Sequence, residues 1–120
     1  MINRIKMIVS VGGLVAALSS AGALAETYKI GQKDKAFTGD ALETKDGEQV
    51  LEIKKGDVVR FINKDSFFHN VYSLSDTKMF DLGSFPEGEH RDVTFDKAGR
   101  VKVQCAIHPD MKMFVEVTGK

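Results

Sequence analysis

Only one cysteine occurs in the 120 residues, and its surroundings narrow the possible folds more than any other stretch. Cys105 closes the run Val101-Lys102-Val103-Gln104-Cys105, in which apolar and polar residues alternate. Residues two apart on an extended strand share a face, so Val101, Val103 and Cys105 point together into a core. His108 follows three residues later and Met111 three beyond that, with Pro109 between them. A thiolate, an imidazole and a thioether thus share one short loop. With a second imidazole they make the trigonal His2Cys set with a long axial Met that suits copper in electron-transfer sites. His69, in Phe67-Phe68-His69-Asn70-Val71, is the candidate for that second imidazole.

Each donor has an ordinary reading when taken alone. A cysteine on an apolar strand face behaves as a small buried hydrophobe, and methionine commonly fills core gaps. His108 alone reads as a loop residue and His69 as a half-buried histidine between aromatic neighbours. The combination is what carries chemistry. Structural zinc sites take four strong N or S ligands, usually with more than one cysteine, and iron–sulfur clusters need more cysteines than this chain has. A thioether favours copper over either. His90, in the charged segment Gly88-Glu89-His90-Arg91, reads as a solvated surface residue and not a ligand.

The first 25 residues read as a leader outside the fold. Arg4 and Lys6 form a basic start, Met7 to Leu18 is largely apolar, and Ala23-Leu24-Ala25 has the small-x-small pattern of a cleavage site. The apolar run is shorter than the roughly 20 residues a membrane span requires, so the expectation is an exported chain cut after Ala25. Residues 26–120 then form one small domain, with no stable membrane insertion. Loss of Arg4 and Lys6 leaves a net charge of −2 against an initial balance of 17 basic and 17 acidic residues. Neither that balance nor the distribution of cations fits a nucleic-acid partner. With a single cysteine no internal disulfide is available, and a bound metal would supply folding energy in its place.

From Thr27 onward the pattern is period two with turn signals between short runs, which predicts an all-β sandwich or barrel. Tyr28 and Ile30 begin it. Gly31 to Gln49 is polar, with Phe37 and Leu42 as its large apolar residues, and is expected to hold an edge strand, a long connection and a turn at Asp46-Gly47. Strands follow at Val50 to Ile53 and around Val59 and Phe61, with turns at Lys55-Gly56-Asp57 and Lys64-Asp65-Ser66. Tyr72 to Gly88 is irregular by pattern. Val93 and Phe95, then Val101 to Cys105, then Val115 and Val117 mark the closing strands.

Three segments together resemble the cupredoxin family: Gly56-Asp57-Val58-Val59-Arg60-Phe61-Ile62-Asn63, His69-Asn70-Val71, and Cys105-x2-His108-x2-Met111. The pattern is similar to that of the small plastocyanin- and amicyanin-like bacterial proteins, some labelled methylamine-utilisation proteins, and covers essentially all of residues 26–120. The resemblance implies a Greek-key β-sandwich with one copper ion at one end. Its ligands would be His69, Cys105, His108 and, more weakly, Met111, and its role one-electron transfer in the periplasm. In such proteins the axial Met is followed by valines four and six positions on; Val115 and Val117 stand so after Met111, which leaves Met113 to the core.

There are departures from the family pattern. Ile107 stands where proline often precedes the second histidine, with Pro109 after it instead. Ala106 has no hydroxyl with which to tie the loop to Asn70, so Asn70 must bond to backbone or solvent. Phe68 stands where proline often precedes the first histidine.

Phe67, Phe68, Ile107 and Pro109 are expected to form an apolar rim on which a transient redox partner, such as a cytochrome or a dehydrogenase, docks a monomer. Two rival readings remain. The same ligands would serve copper storage or delivery, which Met79, Met111 and Met113 keep open. An enzyme using Cys105 as nucleophile would need an accessible thiolate and an orienting group, neither of which the pattern provides.

Overall fold

The computed structural model describes residues 24–119, so the leader read over residues 1–25 falls almost wholly outside the described residues. Ten strands follow in order: β1 (Thr27–Lys33), β2 (Ala36–Thr38), β3 (Glu43–Lys45), β4 (Glu48–Lys54), β5 (Val58–Asn63), β6 (His69–Ser75), β7 (Lys78–Phe85), β8 (His90–Thr94), β9 (Gly99–Gln104) and β10 (Lys112–Thr118). Among the described residues there is no helix. One sheet has the order β2-β1-β5-β8 and the other β3-β4-β10-β9-β6-β7. Pairing is antiparallel except for β1 with β5 and β4 with β10. Those parallel neighbours are joined only through strands of both sheets, which gives the crossing connections of the expected Greek-key sandwich.

Alternation decides which side chains fill the space between the sheets. Val59 and Phe61 on β5, Val101 and Val103 on β9, and Met113, Val115 and Val117 on β10 are all buried. Complete burial of such side chains contributes about 1.5–3 kcal/mol each, against the entropy of ordering the chain. Phe37 on the short β2 is also in the core, edge-on to Phe61 at 6.2 Å between ring centroids. Between β5 and β8 the outward Arg60 forms a two-pronged pair with Asp92, at 2.9 and 3.0 Å.

The turns follow their residue types where glycine marks them. Asp46 and Gly47, with φ of 52° and 79°, join β3 to β4 as a two-residue hairpin loop, the geometry Asp-Gly favours. The segment expected to be irregular, Tyr72 to Gly88, is instead mostly the regular hairpin β6–β7. Two features hide it. The ladder slips between Asn70 and Tyr72, and Gly83 at φ 73° breaks the spacing, so that Phe80 and Leu82 alternate but Phe85 falls out of step. In addition, the apolar residues on the inward face of β7 before Phe85 are only Phe80 and Leu82, both partly buried.

Candidate metal centre

The potential ligands converge at one end of the sandwich. His69 opens β6, Cys105 follows β9 directly, and His108 lies on the loop between β9 and β10. Their candidate ligand atoms all lie within 4.8 Å of one another, with His69 and Cys105 buried and His108 half-buried. The Cys105 Sγ is 3.7 Å from the His69 Nδ1. Alternation on β9 dictates this placement: with Val101 and Val103 inward, Cys105 must also face inward, at the end of the strand.

Hydrogen bonds close the loop. The Met111 N–H donates to the His108 carbonyl at 2.9 Å, and the Cys105 N–H donates to the Met111 carbonyl at 3.3 Å. Asn70 finds the backbone partner that Ala106 leaves it, its Oδ1 accepting from the Ala106 N–H at 2.7 Å. The residue after the first histidine therefore ties β6 to the cysteine loop without a hydroxyl. Met111 and Met113 are both buried. Met113 pairs with Val103 in the β9–β10 ladder, in keeping with its core assignment.

Sequence reasoning missed Asp65, which it read only as part of a turn. Its Oδ2 lies 2.7 Å from the His69 Nε2. The same carboxylate accepts backbone N–H bonds from Asp34 at 2.7 Å and Lys35 at 3.2 Å, the two residues of the β1–β2 turn. Both turn residues are left-handed, with φ of 54° and 60°, and no glycine announced them. A carboxylate four residues before a histidine in a loop has no spacing signature of its own. Asn63 secures the same loop: it accepts from the Asp65 N–H at 2.8 Å and donates to the Phe67 and Phe85 carbonyls at 2.8 and 2.9 Å.

This network sets the electrostatics. Burial alone would raise the Asp65 carboxyl, but the bonds from His69 and from the Asp34 and Lys35 N–H groups outweigh it and hold the group below its usual range. As a carboxylate it fixes the proton of the His69 imidazole on Nε2 and turns the Nδ1 lone pair toward the sulfur, as carboxylate–histidine pairs do in metal sites. His108 is held below its ordinary value, first by burial, then by His69 and Lys35, with Asp65 opposing. It is thus neutral at pH 7, as a metal ligand must be. Its Nδ1 is buried and has no hydrogen-bond partner. A buried polar atom left alone costs about 1–3 kcal/mol, and the ring that carries it lies beside a thiol and a second imidazole. The donor set fits a soft, low-coordinate copper ion.

Around this cluster, the Phe67 ring lies 5.2 Å from both the His69 and the His108 ring. Phe67, Phe68 and Ile107 are 38%, 55% and 47% exposed, and Pro109 is exposed beside them. His90 is exposed at the start of β8 and outside the cluster.

Comparison with known proteins agrees with the geometry. The model of the family described as copper binding proteins, plastocyanin/azurin family, matches residues 46–119. The chain belongs to that family, and its cofactor is copper. The methylamine utilization protein MauL of Methylorubrum extorquens is 32% identical over 71 residues, spanning 58% of this chain and 62% of that protein. The chain thus matches less than two thirds of that relative's length. Amicyanin from Paracoccus versutus has the same fold, with a TM-score of 0.63 at 22% identity over 82% of this chain and 87% of that one. A copper-containing nitrite reductase, NirK, from Thermus scotoductus aligns at 26% identity and a TM-score of 0.63. That alignment covers 91% of this chain but only 28% of the enzyme.

Proposed function

We propose that residues 26–120 form a periplasmic carrier of single electrons, exported by a leader cut after Ala25. One copper ion would be held by His69 Nδ1, Cys105 Sγ and His108 Nδ1, with Met111 as the weaker axial ligand. Such an ion supplies a one-electron Cu(I)/Cu(II) couple. The observation that carries the reading is the buried convergence of a thiol, an imidazole fixed by Asp65 and the partnerless His108 Nδ1.

The protein's own contribution is to hold these donors still while charge changes. The Asp65 carboxylate orients His69, Asn70 ties the cysteine loop to β6, and β9 and β10 anchor both ends of that loop. A site whose supporting shell is locked needs little rearrangement. His108 is the half-buried edge through which an electron reaches the apolar rim of Phe67, Phe68, Ile107 and Pro109. A transient protein partner, such as a cytochrome or a dehydrogenase, would dock there over a small area, the carrier itself being a monomer. An enzymatic role has less support: a concavity of about 400 Å³ lies at the opposite end of the sandwich, between Leu24 and Asp57, and does not touch the cluster.

Copper storage or delivery would favour an open, methionine-rich site. Met111 and Met113 are buried, and Met79 is exposed at the far end of the β6–β7 hairpin, opposite Leu74. Voltammetry of the copper-loaded protein decides between the two. An electron carrier gives a reversible wave over repeated cycles and releases Cu(I) slowly to a strong chelator. Poor reversibility with rapid, complete transfer of Cu(I) to the chelator contradicts the electron-carrier reading.

A further inference from the structure

The end of the sandwich remote from the metal cluster contains a second buried carboxylate, Asp57, 4% exposed in the turn between β4 and β5. Its Oδ2 accepts from the Lys54 N–H at 2.9 Å, and its Oδ1 accepts from the Glu26 N–H at 3.0 Å. The Glu26 carbonyl in turn accepts from the Val58 N–H at 2.8 Å, one residue before β1 enters its parallel ladder with β5. Glu26 is thus the first residue whose backbone is gripped on both sides. Among the described residues, nothing hydrogen-bonds Leu24 or Ala25, and both are exposed.

The nitrogen held by Asp57 belongs to the peptide bond at which the leader reading places the cut. We propose that the fold reads this cleavage: hydrolysis of the Ala25–Glu26 bond creates an α-ammonium group that becomes the charged partner of Asp57 and pins the start of β1 to the β4–β5 turn. In the reaction, water adds across the amide, Ala25 leaves with the carboxylate, and the Glu26 nitrogen takes up a proton at neutral pH. An export endopeptidase supplies the cleavage. A neutral N–H···O⁻ contact is thereby replaced by an ammonium–carboxylate pair, and hydrogen bonds between two charged groups are stronger and shorter. Because Glu26 is exposed, the new charge keeps part of its hydration, which limits the desolvation cost that weakens fully buried pairs.

The proposal rests on the cleavage position, so its test separates the two. Three copper-loaded chains are compared by thermal unfolding: one beginning at Glu26 with a free amine, the same chain acetylated on that amine, and one retaining Leu24 and Ala25. At pH 6 the free-amine chain is expected to melt about 5 °C above both others, the shift a 60–100-residue domain gives for one good polar contact. The gap is expected to close in the Asp57→Asn background.

The gap also has a pH signature. The groups facing the amine are Asp57, the Glu26 side chain, Tyr28, Lys54 and Lys55. Tyr28 is held above 10.0, by burial first and then by Glu26. Between pH 7 and 9.5 the amine is therefore the group that changes. Pairing raises its folded value, so its stabilisation is complete below the ordinary value of about 7.7–8.0 and is lost as pH rises above it.

Equal melting of the three chains at pH 6, or a gap that is constant across that range, overturns the proposal while leaving the leader reading intact. Should Asp57→Asn fail to fold, the acetylated chain and the pH profile still decide. Sequencing the amino terminus of the exported protein tests the cleavage itself: Glu26 as first residue is expected, and any other start overturns both.

Discussion

The His69 and His108 rings lie 5.0 Å apart and face the same sulfur, yet they are held by opposite means. His69 is fully buried and braced from behind by Asp65, which is itself clamped by two backbone N–H groups of the β1–β2 turn. His108 sits on a loop, is half-buried, and has no partner for its inward nitrogen. One imidazole is therefore fixed by the scaffold in advance, and the other would be completed by the metal. The difference explains how a site can be rigid on its core side and still present an edge at the surface.

The comparison breaks most directly at Asp65. Asp65→Ala leaves the His69 Nε2 and two turn N–H groups without their acceptor. Loss of about 3 kcal/mol of copper-free stability in urea unfolding is expected, the scale for breaking a buried pair. Copper affinity is expected to fall by about 10–100-fold, as when a ligand loses its outer partner. Unchanged stability would mean that the scaffold does not brace His69.

Acid should separate the two sides in sequence. Both His108 and Asp65 are held below their ordinary values, so the unfolded chain takes up their protons first and stability falls with falling pH. For His108 the loss begins near 6.5 and continues to its lowered folded value. For Asp65 it begins near 3.8 and likewise ends at its lowered folded value. A stability profile of the copper-free protein should show both steps, with the lower one absent in Asp65→Asn. A single step near pH 4 would show that His108 is not desolvated.

The loop side is tied to β6 by the Asn70–Ala106 bond, and Asn70→Ala removes it. A cost of about 1 kcal/mol and faster amide exchange from Ala106 to Asp110 are expected, with the Asp65 turn unaffected. The smallest effect belongs to the methionines. Met113→Leu should cost less than about 1.5 kcal/mol, as volume-conserving core swaps do, and leave the copper spectrum unchanged. Met111→Leu should shift the spectrum and raise the potential. The reverse pattern would exchange their roles.

What could be read from the sequence divides along the same line. The cysteine loop was legible because β9 and β10 keep strict alternation, so Val101, Val103, Cys105, Val115 and Val117 declare their face. Asp46-Gly47 was legible because its turn demands a left-handed backbone and uses glycine for it. The brace behind His69 was not. It rests on a left-handed Asp34-Lys35 turn without glycine and on one carboxylate brought to it by loop 64–68, and no local pattern encodes a contact between residues some 30 positions apart. The β6–β7 hairpin was hidden because a register slip between Asn70 and Tyr72 and the left-handed Gly83 break its period.

Copper titration of the protein beginning at Glu26, followed by metal analysis and visible absorption, tests the central claim most directly when run beside Cys105→Ser. The parent should bind one copper per chain and develop an intense thiolate-to-copper band that saturates at one equivalent. The serine variant, which keeps both histidines and the Asp65 brace, should lack that band and hold copper weakly. Retention of the same stoichiometry and colour by Cys105→Ser would contradict the account, because the sulfur on which both histidines converge would then not be a ligand.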